Sequence, residues 1–302
     1  MKPKVNVLIS TYNGEKYLKE QLDSILIQTY QNIDIYVRDD GSKDGTISIL
    51  KEYEKAGKIH FLQGKNVGFI DSFFTLLKDC DEAEYYAFCD QDDVWLEDKI
   101  KRAVTMLEEN KEESIPILYY SNYDFYDTNM TFQSHAINKK KPSFLNCLVE
   151  CINLGMTTVI NENARNIAIK NLPSFCEGHD WWLYMICEGM GKVLYDETVT
   201  AKHRLHESNT SECGKNFISL QIHRIKSLFQ ENYFKTIHKQ IQEYAKYFLE
   251  DLSKENQKML RLFNIEKFRY RNQLKKLCYP KRYRQVWTDE IMIRFMFLIG
   301  AI

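Results

Sequence analysis

In the first 90 residues, short apolar segments alternate with helix-period segments, and each apolar segment ends in a polar loop. Val5 to Thr11 is apolar and β-branched, the pattern of a buried strand. Tyr12-Asn13-Gly14 breaks it, and Lys16 to Gln28 places Leu18, Leu22, Ile25 and Leu26 at helical spacing. Ile33 to Val37, Ile59 to Leu62 and Tyr85 to Cys89 repeat the strand pattern. Thr46 to Tyr53, Gly68 to Leu77 and Leu96 to Glu109 read as helices. This tempo predicts a parallel sheet wrapped by helices. Ligands of such sheets sit beyond the carboxyl ends of the strands. The polar insertions fall at those ends: Ser10 to Asn13, Asp39-Asp40, Gly64-Lys65-Asn66, and Asp90 to Asp93. Four polar loops are thus expected on one rim.

The last of these loops, Asp90-Gln91-Asp92-Asp93-Val94-Trp95, crowds three carboxylates into four positions. Their repulsion calls for a cation or a set of hydrogen-bond donors. At the end of a strand the run reads as a site for a divalent metal carrying a phosphorylated ligand. It also suits an acidic turn with Asp93 capping the next helix.

Composition narrows the function classes. Lys plus Arg number 41 and Asp plus Glu 42, a net charge of −1 that argues against a general nucleic-acid binder. With 44% apolar residues the core is ample. Five prolines and twelve glycines disfavour a low-complexity chain. The eight cysteines (80, 89, 147, 151, 176, 187, 213 and 278) match no zinc spacing and suit buried thiols in a reducing compartment. Met1 to Lys4 runs straight into a strand without a signal-peptide core, and no apolar run approaches the roughly 18–20 residues of a membrane span. A cytoplasmic protein is expected.

Beyond Ile115 the organisation changes. Ile117 to Tyr123 and Met156 to Ile160 read as strands, separated by the polar stretch Thr128 to Ser143. From about residue 214 helical signals dominate. One stripe is Ile218, Ile222, Ile225 and Leu228-Phe229; another is Ile237, Ile241, Tyr244-Ala245 and Phe248. Lys267 to Arg284 is basic with interleaved tyrosines and leucines, and Ile291 to Ile299 is strongly apolar but too short to span a bilayer. The pair suits a surface-seated membrane anchor, a helix docked on the domain, or a dimer seam.

Six segments together carry a family resemblance: Ser10 to Gly14, Arg38 to Ser42 with Asp44-Gly45-Thr46, Asn66-Val67-Gly68, Asp90 to Trp95, His179 to Trp182, and Arg204-Leu205-His206 with Asn209. In this order they resemble the bacterial family-2 glycosyltransferases of the GT-A fold, closest to the rhamnosyltransferase-like branch that builds cell-surface polysaccharides. The resemblance covers about Val5 to Asn209. It implies an α/β nucleotide-sugar-binding fold over 1–213, with a mostly parallel central sheet. Residues 1–115 would be the nucleotide-binding half and 116–213 the acceptor and catalytic half, followed by a helical appendage over 214–302.

The resemblance also implies roles. Thr11, Tyr12 and Asp40 would line the base pocket, where an aspartate can accept from the imide N–H of a pyrimidine, and Asn13 would also contact the nucleotide sugar. The Asp39 to Ser42 segment is equally a turn, one aspartate making it while the other faces the base. Asn66 would contact the nucleotide or open the next helix. Asp90 would lie near the ribose or a metal-bound water, and Asp92 and His206 would hold Mg²⁺ or Mn²⁺. His203 is a rival to His206, and Arg204 would pair with the diphosphate or with a nearby carboxylate. The relatives have Gln and Gly where this chain has Leu205 and Glu207. By spacing, Asp180 is a plain N-cap; by resemblance, it is the catalytic base of an inverting transfer. Trp181 or Trp182 would offer a wall for a sugar ring, the other being core. The expected donor is dTDP-rhamnose, with UDP-galactose, UDP-galactofuranose or a UDP-N-acetylhexosamine as alternatives. The expected acceptor is a lipid-linked glycan, met by an enzyme peripheral to the inner face of the membrane. A non-catalytic binding subunit of a glycan-assembly complex is the other functional class.

Overall fold

The computed structural model describes residues 2–136, 142–206, 231–264 and 270–299. The chain forms two compact units. The first comprises Met1–Asn138, Asn153–Leu172 and Lys192–Gly214; the second comprises Lys139–Ile152, Pro173–Gly191 and Lys215–Ile302.

Among the described residues the first unit is built on a nine-stranded sheet. It opens with β1 (Val5–Thr11), α1 (Leu18–Leu26), β2 (Ile33–Asp39), α2 (Thr46–Lys55), β3 (His60–Gln63), α3 (Phe69–Asp79) and β4 (Tyr85–Cys89). These strands lie side by side and parallel in the order β3-β2-β1-β4, as a chain with helical crossovers requires. Both faces are covered, which explains the near-continuous apolar runs. Val5, Val7, Ile9, Ile35 and Val37 pack with Leu18, Leu22, Ile100 and Leu107 in one core cluster. On another packing contact, Phe88 of β4 meets Phe73 of α3 edge-on at 5.8 Å between ring centroids. Each buried aliphatic side chain stabilises the fold by about 1.5–3 kcal/mol.

The rest of the unit is mixed. β5 (Val94–Trp95) leads to α4 (Lys99–Glu109), β6 (Ile117–Tyr126), β7 (Phe132–His135), a 3₁₀ turn (Gly155–Thr157), β8 (Thr158–Asn161), α6 (Glu162–Lys170) and β9 (Lys192–Arg204). β8 pairs antiparallel with β4 and β6, and β9 pairs parallel with β6 and antiparallel with β5. Several elements differ from expectation. The helix expected from Leu96 begins at Lys99, because Val94 and Trp95 are drawn into pairing with β9. The segment expected as a strand from Met156 begins with the 3₁₀ turn. β9, at 13 residues, is not evident in the sequence pattern.

The reason for that last omission is a register shift. Ser121 pairs with Asp196, but its neighbour Asn122 pairs with Val199. The extra residues interrupt the alternation that marks a strand. Asp196 holds the irregularity: it accepts two bonds from Arg102, at 2.9 and 3.0 Å, one from the Tyr119 hydroxyl and one from the Thr198 amide.

The second unit is helical among its described residues: α5 (Phe144–Cys147), α7 (His179–Met190), α8 (Glu231–Phe248), α9 (Lys254–Phe263), α10 (Tyr270–Leu277) and α11 (Trp287–Leu298). Ile237, Ile241, Tyr244, Ala245 and Phe248 are buried, as their spacing requires. The stripe from Ile218 to Phe229 lies outside the described residues, as do Lys267 and Arg269. Side-chain bonds tie the three pieces of chain together: Trp181 Nε1 to Cys147 O, Tyr184 Oη to Asn146 Oδ1, and Tyr244 Oη to Met185 O. Trp181 and Trp182 are both core residues of this unit, at 8% and 0% exposure, so neither forms an exposed wall.

Asp196 yields a prediction. Burial alone would raise its carboxyl, but the bonds from Arg102, Thr198 and Tyr119 outweigh that and hold it below the usual 3.8. Its contribution is therefore complete above that value and is lost as pH falls through the folded value. Asp196→Ala will cost about 1–3 kcal/mol in urea unfolding at neutral pH. The gap from wild type will narrow as pH drops below the usual value of 3.8. A gap that stays constant into acid contradicts the role given to the carboxylate.

Candidate active site

At the carboxyl ends of β1, β2, β3 and β4, hydrogen bonds lace the polar loops into one rim. Tyr12 exchanges two bonds with Gln91, its amide donating to Oε1 at 2.9 Å and its carbonyl accepting from Nε2 at 3.1 Å. The Asn13 amide donates to Ser42 Oγ at 2.8 Å, and Asn13 Oδ1 accepts from the Lys43 amide at 2.9 Å. Asn13 adopts a φ of 49°, a left-handed conformation that asparagine tolerates better than most residues. These contacts join the β1 loop to the β2 and β4 loops.

The two aspartates ending β2 divide their work. Asp39 makes the turn: Oδ1 accepts from the Gly41 and Ser42 amides, and Oδ2 accepts from the Ser42 and Thr11 hydroxyls. Gly41 has a φ of +88°, where a side chain would be strained, and an added Cβ would sit tightly at 3.3 Å from the Asn66 nitrogen. Asp40 is 2% exposed and reaches the next loop. It accepts from Arg38 and from the amides of Val67 and Gly68, at 2.9 and 2.8 Å. Asp40 thus positions the loop that carries Asn66, itself exposed. Tyr12 is 44% exposed beside this rim, whereas Thr11 is buried beneath it.

The β4 loop is answered by the end of β9. Asp92 Oδ2 lies 2.9 Å from His206 Nε2. Asp93 is fully buried, and its Oδ1 lies 2.9 Å from His203 Nδ1 and accepts from the Arg204 amide at 3.0 Å. Asp93 therefore does not cap α4, whose N-cap position is Asp98. Asp90 is half-buried at the end of β4. Burial works against a charged His203, but the carboxylates of Asp93, Asp90 and Asp92 outweigh it and raise this imidazole above its usual range. Behind the loop Lys99 is fully buried over the Trp95 ring, donating to Thr200 Oγ1 at 3.3 Å. Burial lowers its ammonium to about 7.

Arg204, left by the sequence between a diphosphate and a carboxylate, is placed against a carboxylate. Its Nη2 pairs with Glu20 at 2.5 Å, Nε donates to Asp92 O and Nη1 to Thr128 O. It is 2% exposed, with its guanidinium stacked 4.5 Å from the Tyr17 ring centroid. Tyr17 also lies 5.2 Å from the His206 ring. No individual role was legible in the sequence for Tyr17, Glu20, Gln91 or Thr128. The available signal was their place in loops or first helical turns at the strand ends. Of the segment after His206, Glu207 to Asn209 lies outside the described residues.

Among the described residues no three His, Cys, Asp or Glu side chains form a metal cage. Asp92 and His206 still face one another as an oxygen and a nitrogen donor. Two protein donors fit Mg²⁺ or Mn²⁺ when phosphates and water complete the shell. Asp180 belongs to the second unit. It stands in the first turn of α7, and its Oδ1 accepts from the adjacent Trp181 amide at 2.8 Å. The N-cap position is Gly178, so the capping reading does not hold. Gly178 leaves the space that this carboxylate occupies.

Comparison with known proteins fits this layout. A family model described as Glycosyl transferase family 2 matches residues 6–165. The dTDP-rhamnosyl transferase RfbG of Shigella flexneri is 30% identical over 67% of this chain and 72% of its own length. An uncharacterised glycosyltransferase of Rickettsia typhi is 29% identical over 71% of this chain and 68% of its own. The S. aureus TarS 1–349 structure in complex with UDP-GlcNAc superposes with a TM-score of 0.58 at 16% identity, covering 90% of this chain and 83% of that one. A mannosyltransferase from Pyrobaculum calidifontis, in complex with GDP-Man and Mn²⁺, does so with a TM-score of 0.52 at 15% identity over 100% and 86%. The chain has the GT-A fold and belongs to glycosyl transferase family 2.

Proposed function

We propose that this glycosyltransferase moves a hexosyl group, L-rhamnose from dTDP-rhamnose, onto a hydroxyl of a lipid-linked polysaccharide intermediate with inversion. The observation that carries the reading is the laced rim with the Asp92–His206 pair at its edge. The Shigella flexneri relative, a dTDP-rhamnosyl transferase, supports the choice of donor. A UDP-N-acetylhexosamine is the second reading, favoured by the TarS complex with UDP-GlcNAc.

In this reading Tyr12 and Asn13 border the base, Asp40 holds the Asn66 loop against it, and Asp90 faces the ribose. Asp92 and His206 would hold Mg²⁺ or Mn²⁺ on the diphosphate, where the cation supplies neutralising charge for the leaving group. Arg204, tied to Glu20 and Tyr17, fixes the end of β9 from which His206 projects. Asp180 takes the proton from the acceptor hydroxyl. That oxygen forms its bond to the anomeric carbon as the carbon–phosphate-oxygen bond breaks, and the nucleoside diphosphate leaves with the electron pair. Departure of a diphosphate needs no protein acid, so one carboxylate base suffices.

Two outcomes test the roles. dTDP or UDP with Mn²⁺ will raise the melting temperature of the wild type, and Asp92→Ala will abolish most of that shift. Asp92→Ala with an unchanged shift and unchanged glycan yield would favour the non-catalytic binding subunit. Asp180→Asn will lower sugar transfer by about 10²–10⁴-fold while leaving nucleotide-induced stabilisation intact. Transfer at the wild-type rate would remove Asp180 from the chemistry.

A further inference from the structure

α11 is apolar on two opposite faces. At about 100° per residue, Ile293, Met296 and Phe297 share one side, and all three are buried. Trp287, Ile291, Phe295 and Leu298 share the other, at 66%, 65%, 50% and 51% exposure, and Ile299 follows at 53%. Tyr270 and Leu274 of α10 are exposed as well. These seven are half of the fourteen large hydrophobic side chains exposed among the described residues, although they fall within a 30-residue stretch. Packing within the unit explains the buried face and leaves the second without a function.

The same stretch is strongly basic. Residues 270–299 carry seven Lys and Arg against Asp289 and Glu290, in a chain whose net charge is −1. Glu290 is buried and spent on Arg294 and the amides of Tyr283 and Arg284. Arg271 and Lys275 are exposed on α10. The Arg282 guanidinium sits 4.5 Å from the Trp287 ring centroid, placing positive charge at the head of the apolar stripe. At 12 residues α11 is about 18 Å long, short of the roughly 30 Å of a hydrocarbon core. No helix among the described residues is long and apolar enough to cross a membrane.

We propose that α10 and α11 form a docking surface for an anionic lipid bilayer. Trp287, Ile291 and Phe295 enter the headgroup boundary, and Arg271, Lys275 and Arg282 meet the lipid phosphates. Charge selects this occupant. A second copy of the chain would bring the same positive face against itself, whereas anionic lipid neutralises it. The proposal is independent of which donor the first unit binds.

Co-sedimentation of the full chain with vesicles tests it, using phosphatidylcholine alone and phosphatidylcholine mixed with phosphatidylglycerol. The wild type will partition onto the phosphatidylglycerol vesicles about tenfold more strongly, and added salt will release it. The double variant Ile291→Ser with Phe295→Ser will lose that binding while keeping its helical circular dichroism. A second double variant, Arg271→Gln with Lys275→Gln, removes no apolar packing; it will bind anionic vesicles several-fold more weakly with a shallower salt dependence. Failure of folded wild type to bind anionic vesicles, or equal binding to neutral ones, overturns the proposal. So does a wild-type dimer that the Ile291→Ser, Phe295→Ser variant converts to a monomer without any vesicle binding.

Discussion

Three carboxylates crowd into four residues at the end of β4, and the end of β9 supplies partners for two of them. Asp92 faces His206, and Asp93 faces His203 and the Arg204 amide. β9 reaches that position through its pairing with β5 and β6, and the Asp196 irregularity sets its register. Arg204 secures the junction by spanning from the Asp92 carbonyl to Glu20 and Thr128. A break in β9 would leave Asp93 charged and buried without a partner, a costly state in a low-dielectric interior.

This arrangement separates structural from exposed carboxylates on a single rim. Asp39, Asp40 and Asp93 are consumed by turns, loops and strand ends. Asp92 keeps part of its surface in contact with solvent, with a side-chain exposure of 18%. The pattern suits a site in which fixed acids shape the loops and a less buried one meets a ligand. Lys99 lies buried beneath the loop, where burial lowers its ammonium to about 7 against the opposing pull of the Asp93 and Asp196 carboxylates.

Much of this was legible in the sequence. The β1 and β4 boundaries match their apolar runs, and the strand–helix tempo gave the parallel half of the sheet. Asp39-Asp40 could be read as one turn-maker with the other facing a base; the bonds of Asp39 bear out the turn, whereas Asp40 is buried and occupied by Arg38 and the Val67 and Gly68 amides. A carboxylate partner for Arg204 was among the alternatives, but the identities of the partners of Arg204 and Asp93 were not legible, because they are far away in sequence: Glu20 lies 184 residues from Arg204, and His203 lies 110 from Asp93. β9 was hidden by its register shift, and both tryptophans after Asp180 proved to be core because their partners come from distant segments. Local periodicity reports which face of an element is buried, not which distant side chain meets it.

We propose that Asp92 and His206 act together on the diphosphate end of the donor. Isothermal titration of dTDP and UDP, with Mn²⁺ present, into wild type, Asp92→Asn, His206→Gln and the double variant tests it. Non-additive losses with a coupling of about 1 kcal/mol or more are predicted, as for two groups holding one ligand. Strictly additive losses, or nucleotide affinity indifferent to both substitutions, would contradict it.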